Sequence, residues 1–218
     1  MARTTPQTPQ VRGDAKRGEI MQAALGAFLD RGYLGTSVDE IAAAAHASKR
    51  TVYSHFGDKE ALFREVIRST IAPMQEALQR RLDLAPRDDA QEALRSITRS
   101  LATIIVTPQV VRLRRVVIAE TDRFPDLAAE WYRLGPGQTV DRLVGFLGEL
   151  DGLTIPDPRV AAEQLLWLVA SEPLNRLMFT PSGTTVSAAE LELTAERACD
   201  AFWRAYGPRR STSTKEEH

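Results

Sequence analysis

The sequence predicts an all-α protein of about nine helices, and three observations support this fold class. Apolar residues recur with helical spacing, first in a stripe at 20–28 and then in several later stretches. Ser37 and Ser187 are each followed by a glutamate three residues later, a capping box that opens a helix. No stretch alternates polar and apolar residues as a half-buried strand does, and no internal repeat is visible.

The composition is that of an ordinary globular protein, and it excludes several function classes. The chain has 218 residues, with 28 Lys plus Arg against 29 Asp plus Glu, so it is not generally polybasic but can carry a basic patch. The single cysteine, Cys199, excludes an intrachain disulfide, and we expect a buried structural thiol. No apolar run has the roughly 18 residues of a membrane span, and the N-terminus does not resemble a secretory signal, so we expect a cytoplasmic protein.

The N-terminal residues predict a disordered arm followed by a long amphipathic helix. Residues 1–13 contain two prolines and no apolar periodicity, and they carry the basic residues Arg3 and Arg12. Asp14 can cap the helix that follows, and Gly32 can end it. We therefore expect a disordered basic arm at 1–13 and a first helix that starts at Asp14.

Two short helices joined by a tight turn follow the first helix. Ser37 caps one of them, and Ser48 caps the next after a turn that contains only His46 and Ala47. Two short helices with such a turn form a helix-turn-helix, whose second helix enters the major groove of DNA. The sequence therefore predicts a DNA-binding domain over residues 14–58.

The remaining chain predicts a larger helical domain at 59–207, followed by a disordered tail at 208–218. Asp58 caps its first helix, Gly135-Pro136-Gly137 interrupts another, and Ser187 opens the last. The predicted helices lie at 59–78, 89–106, 109–122, from 125 to the interruption, and at 138–150, 159–179 and 187–206.

The second helix of the helix-turn-helix presents a face suited to a DNA groove. At about 100° per residue, with Val52 and Phe56 directed inward, Arg50 and Ser54 point away from the core. A major groove suits long donors for guanine, a threonine methyl group and little bulk. The alternative is an ordinary solvated face. The predicted DNA-contact residues are Ser37, Ser48, Lys49, Arg50, Thr51, Tyr53, Ser54, His55 and Lys59.

Residues 18–67 are similar to the N-terminal domain of TetR/AcrR-type transcriptional repressors. The similarity includes the Gly32-Tyr33 corner, the run Thr-Ser-Val-x-x-Ile-Ala, the run Ser-Lys-x-Thr-Val-Tyr-x-His-Phe and the closing Asp-Lys-Glu-Ala-Leu-Phe. The resemblance implies two roles for the predicted contacts. Lys49, Arg50 and Thr51 would read bases, and the residues that would hold phosphate are Ser37, Tyr53, His55 and Lys59.

The C-terminal two-thirds resembles the effector domain of the same family, and the segments 113–120 and 123–127 resemble its AefR-like subgroup. The resemblance implies a homodimeric, ligand-responsive repressor that binds a pseudo-palindromic operator in double-stranded DNA and is released by a small molecule. Two other classes stay open, a helical small-molecule-binding protein and an architectural DNA-binding protein without an effector. The large apolar C-terminal region disfavours the second of these.

The turn between the two short helices departs from the family pattern. The family usually places glycine and then a small apolar residue there, whereas this chain has His46 and Ala47. A residue that ends a helix with positive φ suits glycine better than histidine, so the sequence predicts a slightly strained turn. Alternatively His46 contacts the DNA backbone, although a surface histidine in a permissive turn is the simpler interpretation.

Large apolar side chains between residues 60 and 180 predict a mostly apolar effector pocket. The candidate lining residues are Ile105, Phe124, Trp131, Phe146 and Trp167, with Glu120 and Asn175 as polar anchors. The alternative for the apolar residues is ordinary core packing. For the two polar residues it is an internal salt bridge or an exposed position.

The last helix carries a stripe of apolar and small residues, Leu191, Ala195, Ala198 and Phe202. Small residues permit close approach of two helices. In the family that the chain resembles, the last two helices form a four-helix dimer interface. We therefore expect this stripe to lie in a homodimer interface.

The sequence contains no catalytic constellation that points to an enzyme. The run Gly135-Pro136-Gly137-Gln138 lacks the Gly-Lys-Ser/Thr ending of a phosphate loop. His46, His55 and His218 have no partner cysteine at zinc-ligand spacing. We therefore expect no cofactor, no metal and no enzymatic activity.

Overall fold

The described part of the chain, residues 9–208 of a computed structural model, is helical and contains no strand. Ten α-helices follow one another, and a π-helical turn at Arg133–Gly137 joins two of them into one continuous rod, so nine separate helical rods are described. The helices are α1 Pro9–Arg31, α2 Val38–Ala44, α3 Lys49–Phe56, α4 Lys59–Leu84, α5 Ala90–Ile105, α6 Pro108–Ala119, α7 Pro125–Tyr132, α8 Gln138–Gly148, α9 Pro158–Phe179 and α10 Ala188–Tyr206.

The described helices divide into two compact units, each with its own core. The first unit contains the described residues up to Pro73 together with Gln109–Leu134, so α6 and α7 pack with the helix-turn-helix. Its core is aromatic and aliphatic, and the rings of Phe28 and Phe63 meet edge to face with centroids 4.8 Å apart. Leu113 on α6 is fully buried in the same core.

The second unit contains Met74–Pro108 and the described residues from Gly135 onward. It comprises the C-terminal part of α4 with α5, α8, α9 and α10, and its core is almost entirely aliphatic. A polar network lies beside the π-helical turn, where the Gln75 amide donates to the Gly135 carbonyl at 3.0 Å and to the Thr139 hydroxyl at 3.1 Å. The Arg142 Nε donates to the side-chain amide oxygen of Gln75 at 3.2 Å, so both the nitrogen and the oxygen of this buried amide are hydrogen-bonded.

Several sequence-predicted boundaries are wrong. Helix α1 starts at Pro9 rather than Asp14, because proline suits the first turn of a helix, and the rest of the predicted arm lies outside the described residues. Gly135-Pro136-Gly137 does not interrupt its helix, since the backbone widens there into the π-helical turn. The compact units do not follow the predicted division at residue 58, because α6 and α7 belong to the first core. The predicted tail beyond Pro208 also lies outside the described residues.

None of the described helices combines the length and the apolar composition that crossing a membrane would require.

Candidate nucleic-acid interface

Two serine caps fix the ends of the helix-turn-helix. The Ser37 hydroxyl accepts from the Glu40 N–H at 3.2 Å, and the Glu40 carboxylate accepts from the Ser37 N–H at 2.8 Å, which completes the predicted capping box. The Ser48 hydroxyl accepts from the Thr51 N–H at 3.0 Å and opens α3. Two of the predicted DNA contacts, Ser37 and Ser48, therefore hold the helix starts in place.

The turn between α2 and α3 is closed by a left-handed histidine. His46 has φ +47°, and among the described residues it is the one non-glycine with positive φ. Its N–H donates to the Ala43 carbonyl at 3.2 Å, and the Ala47 N–H donates to the Ala42 carbonyl at 2.9 Å, the paired bonds of a Schellman motif. The positive φ that the sequence predicts at this turn is confirmed, and an L-residue pays roughly 1–2 kcal/mol for this conformation.

Helix α3 turns a polar face outward, in the direction that its periodicity predicts. Val52 is 1% exposed and Phe56 is buried, whereas Arg50 and Ser54 are exposed and Tyr53 is 41% exposed. The predicted contacts Thr51 and His55 are half-buried, and the Thr51 hydroxyl lies 2.8 Å from that of Ser48. The helix therefore offers a short cationic and hydroxyl-bearing surface to a partner.

Lys49, in the first turn of α3, has a carboxylate partner on α2. Its ammonium donates to the Asp39 carboxylate at 2.9 Å, and both side chains are exposed. This hydrogen bond, together with the charge of Asp39, raises the pKa of Lys49 above its ordinary value. Sequence reasoning missed Asp39, because the two residues lie on different helices and the docking of those helices is a tertiary feature.

Lys59, at the start of α4, lies against an aromatic ring. Its ammonium is 4.2 Å from the centroid of the Tyr33 ring, and the guanidinium of Arg123 is 5.9 Å from the same centroid. Burial lowers the pKa of Lys59 and the positive charge of Arg123 lowers it further, while Glu120 acts in the opposite direction. Sequence reasoning missed Arg123, which follows α6 and meets Lys59 only because α6 and α7 pack in the first unit.

The predicted pocket residues do not form one group. Trp167 is 41% exposed and Asn175 is also exposed, so their placement as pocket residues is wrong. The outward face of α9 mixes polar residues such as Glu163, Gln164 and Glu172 with a few large apolar ones, so the size and apolar character of Trp167 do not by themselves indicate burial. The other candidates divide between the units, with Glu120, Phe124 and Trp131 in the first and Ile105 and Phe146 in the second.

The predicted dimer stripe on α10 lies inside the second unit. Phe202 and Ala195 are fully buried, Ala198 is 2% exposed, and Leu191 packs against the same core. The prediction that Ala195, Ala198 and Phe202 form the interface is wrong, because the small residues let α10 approach α5 of the same chain, while the half-buried Leu191 stays a prediction. Cys199 is buried on the same side, and burial raises the pKa of its thiol, as expected for a structural cysteine.

The comparison with known proteins matches both parts of the chain to one group of regulators. Residues 20–66 match the family described as bacterial regulatory proteins, tetR family. Residues 92–208 match the C-terminal domain of AefR-like transcriptional repressors.

Two solved structures are similar over nearly the whole chain. A TetR-family regulator from Mesorhizobium loti is 37% identical with a TM-score of 0.82, and the match covers 90% of this chain and 98% of that one. The flavonoid-responsive regulator FrrA is 33% identical with a TM-score of 0.71, and the match covers 90% of this chain and 100% of that one. Both share the helix-turn-helix and the larger helical region.

Among curated proteins, the transcriptional repressor NicS of Pseudomonas putida is 34% identical over 87 residues. That alignment covers 39% of this chain and 40% of NicS, which is less than half of either protein.

Proposed function

The chain belongs to the TetR family of bacterial transcriptional regulators, with an AefR-like repressor domain at its C-terminal end, and on this premise we propose that it represses transcription as an effector-released homodimer. The observation that carries the proposal is the outward polar face of α3 on a capped helix-turn-helix. Regulators of this family bind operator DNA and are not enzymes.

For DNA, we propose that α3 enters the major groove and that Arg50 reads a guanine edge. Arg50 is exposed on the outward face, and its guanidinium can donate two hydrogen bonds to the O6 and N7 atoms of guanine. Lys49 and Thr51 stand beside it in the first turn. The residues that flank this face are placed to hydrogen-bond backbone phosphates: Ser37, Tyr53, His55 and Lys59.

For the homodimer, we propose an interface formed by the outward faces of α9 and α10 rather than by the buried stripe. Helix α9 exposes Val160, Trp167 and Leu168, and α10 exposes Leu193, which is 45% accessible. Leu193 lies about 200° around α10 from Ala195 of the buried stripe. The Tyr206 hydroxyl donates to the Gln164 amide oxygen at 2.6 Å and ties α10 to α9.

A homodimer of this kind would present two copies of α3 to DNA. Their separation would be about one helical turn of DNA, roughly 34 Å, or a multiple of it, which matches a pseudo-palindromic operator. Because one half-site alone binds weakly, dimer formation and operator binding are expected to be lost together.

For the effector, we propose a small, mostly apolar and aromatic compound. The similarity to FrrA, a regulator named for its response to flavonoids, supports this class. If the effector binds best to the conformation that cannot bind DNA, effector binding lowers the affinity for the operator by the same factor by which operator binding lowers the affinity for the effector. Effector binding would therefore release the repressor from DNA.

The proposed function is tested by operator binding followed by effector release. DNA from upstream of its own gene is titrated with the protein in a gel-shift assay, and a thermal-shift screen compares flavonoids with sugars and with divalent metal salts. The expected result is a sequence-dependent shift that only the stabilising aromatic compounds reverse. A protein that binds no upstream DNA, or whose DNA complex responds only to metals or sugars, would contradict the corresponding half of the proposal.

A further inference from the structure

Two cations in the first unit share one aromatic ring. The Lys59 ammonium lies 4.2 Å and the Arg123 guanidinium 5.9 Å from the centroid of the Tyr33 ring. The ring is fixed by its neighbours, with centroids 5.0 Å from Phe63 and 4.7 Å from Phe124. Lys59 and Arg123 therefore stand beside a rigid aromatic platform, although they come from distant parts of the chain.

Neither cation forms an ion pair with a carboxylate of the described residues. Other arginines of the first unit do form ion pairs. The Arg64 guanidinium, for example, lies 2.8 Å from the Glu60 carboxylate. Further pairs are Arg17 with Glu65, Arg31 with Glu40, Arg68 with Glu130 and Arg112 with Asp30. Lys59 and Arg123 thus form a spot of positive charge without a bound counter-charge.

The carboxylates near this spot are engaged elsewhere or lie too far away for an ion pair. Glu40 accepts from Ser37, Glu60 accepts from Arg64, and Asp58 caps α4 by accepting from the Ala61 N–H at 2.7 Å. Glu120 is buried and its charge raises the pKa of Lys59, but no ion pair joins the two side chains. Two like charges beside one ring repel each other, and an external anion between them would relieve that repulsion.

The positions of Lys59 and Arg123 indicate which anion they bind. Lys59 opens α4 directly after Gly57 and Asp58, and therefore lies just past the end of α3 and not on its outward, base-facing side. Residues at or beyond the C-terminal end of a recognition helix can reach the DNA backbone, whereas its N-terminal residues and outward face reach the bases. An arginine fork can also donate two parallel hydrogen bonds to one phosphate.

We propose that Arg123, together with Lys59, binds a backbone phosphate of the operator, so that the corner between α6 and α7 contacts DNA directly. Arg123 lies outside the matched DNA-binding family region at 20–66 and inside the AefR-like region at 92–208. The inference rests on the proposed function, because it takes for granted that α3 docks on DNA. It extends the DNA interface from the helix-turn-helix to the segment that follows α6.

The test compares Arg123→Gln with four other variants on two DNA probes, and one of the four, Arg50→Ala, tests the docking of α3. The matched control is Arg133→Gln, an exposed arginine of the same unit that makes no ion pair with the described residues. Arg123→Lys retains the positive charge, and Lys59→Gln removes the neighbouring one. The probes are an operator duplex recovered from a random library with the wild-type protein and a duplex of random sequence, each titrated across a range of salt concentrations.

Arg123→Gln is expected to weaken binding to both probes by a similar factor, roughly tenfold or more at 0.1 M salt, and to reduce the salt slope by about one for each protomer bound. Arg123→Lys should recover most of this loss, and Arg133→Gln should bind as the wild type does. Unchanged thermal stability of Arg123→Gln would assign the loss to DNA contact.

Three results would overturn the inference, and one of them also overturns its premise. Wild-type affinity and salt slope for Arg123→Gln, alongside a loss for Lys59→Gln, would remove Arg123 from the interface while the proposed function stands. A loss confined to the operator probe would make Arg123 a base reader. If neither Lys59→Gln nor Arg50→Ala changed binding, the docking of α3 would itself be wrong.

Discussion

The ammonium of Lys49 on α3 lies 2.9 Å from the carboxylate of Asp39 on α2, within the surface that we propose docks on DNA. This ion pair ties the two helices of the helix-turn-helix together across their exposed side. It also places a negative charge where phosphates would approach. Lys49 must therefore divide its hydrogen bonds between Asp39 and the DNA.

Replacing Asp39 with asparagine is expected to strengthen binding to DNA of any sequence by a factor of several. The change removes a negative charge that repels the phosphates, and this effect is independent of base identity. Fluorescence anisotropy on a random-sequence duplex measures it. Asp141→Asn, which breaks a similar exposed pair with Arg159 in the second unit, is the control and should leave affinity unchanged. Weaker binding by the Asp39 variant would contradict this role.

Replacing His46 with glycine is expected to stabilise the fold by up to about 1 kcal/mol. Glycine adopts φ +47° without a clash, although its greater freedom in the unfolded chain offsets part of the gain. Urea unfolding of the two proteins measures the difference. His46→Ala keeps a Cβ atom and should show no such gain, so equal stabilisation by both substitutions would indicate that the backbone conformation is not the cause.

Replacing Trp167 with glutamate is expected to give a folded monomer, whereas Phe202→Glu should unfold the second unit. Trp167 is exposed on α9 and Phe202 is fully buried, so only the second change places a charge in the core. Sedimentation velocity and thermal melting separate the two outcomes. Tyr132→Glu, at an exposed position in the first unit, should remain dimeric. A dimeric Trp167→Glu protein would exclude this part of α9 from the interface.

The hydrogen bonds at Glu190 make the stability of the second unit depend on pH. The Ser187 N–H and hydroxyl, followed by Arg176, lower the pKa of Glu190 from its ordinary 4.5 to about 2. A carboxyl whose pKa is lowered on folding stabilises the fold above its unfolded pKa, and the contribution is lost as the pH falls from 4.5 towards 2. Thermal melting should therefore show Glu190→Gln less stable than the wild type at neutral pH, with a difference that shrinks below pH 4.5. A difference that stays constant throughout this range would contradict the assignment.

The sequence predicts helices and their faces well where the evidence is local. The serine caps and the period of Val52 and Phe56 lie within one or two helical turns, so the outward direction of Arg50 follows from the sequence alone. Phe202 illustrates what helical periodicity cannot predict. Its apolar stripe predicts burial correctly, but a stripe does not indicate whether the covering helix belongs to the same chain or to a partner.

The contacts between helices could not be predicted from the sequence for a related reason. The ion pair of Asp39 with Lys49 and the meeting of Lys59 with Arg123 depend on how helices dock, which periodicity does not encode. The placement of Trp167 in a pocket rests on its size and apolar character alone, whereas its position on α9 is on the exposed face, beside polar residues such as Glu163, Gln164 and Glu172.

The most direct measurement of the central claim is the affinity and base preference of Arg50→Ala on operator DNA. If α3 reads the major groove, this variant should lose about 1–3 kcal/mol of operator binding for each half-site and tolerate substitution at one base pair there. Its binding to random-sequence DNA should fall much less. An Arg50→Ala protein that binds the operator with wild-type affinity and unchanged base preference would contradict the docking of α3 on which the proposed function depends.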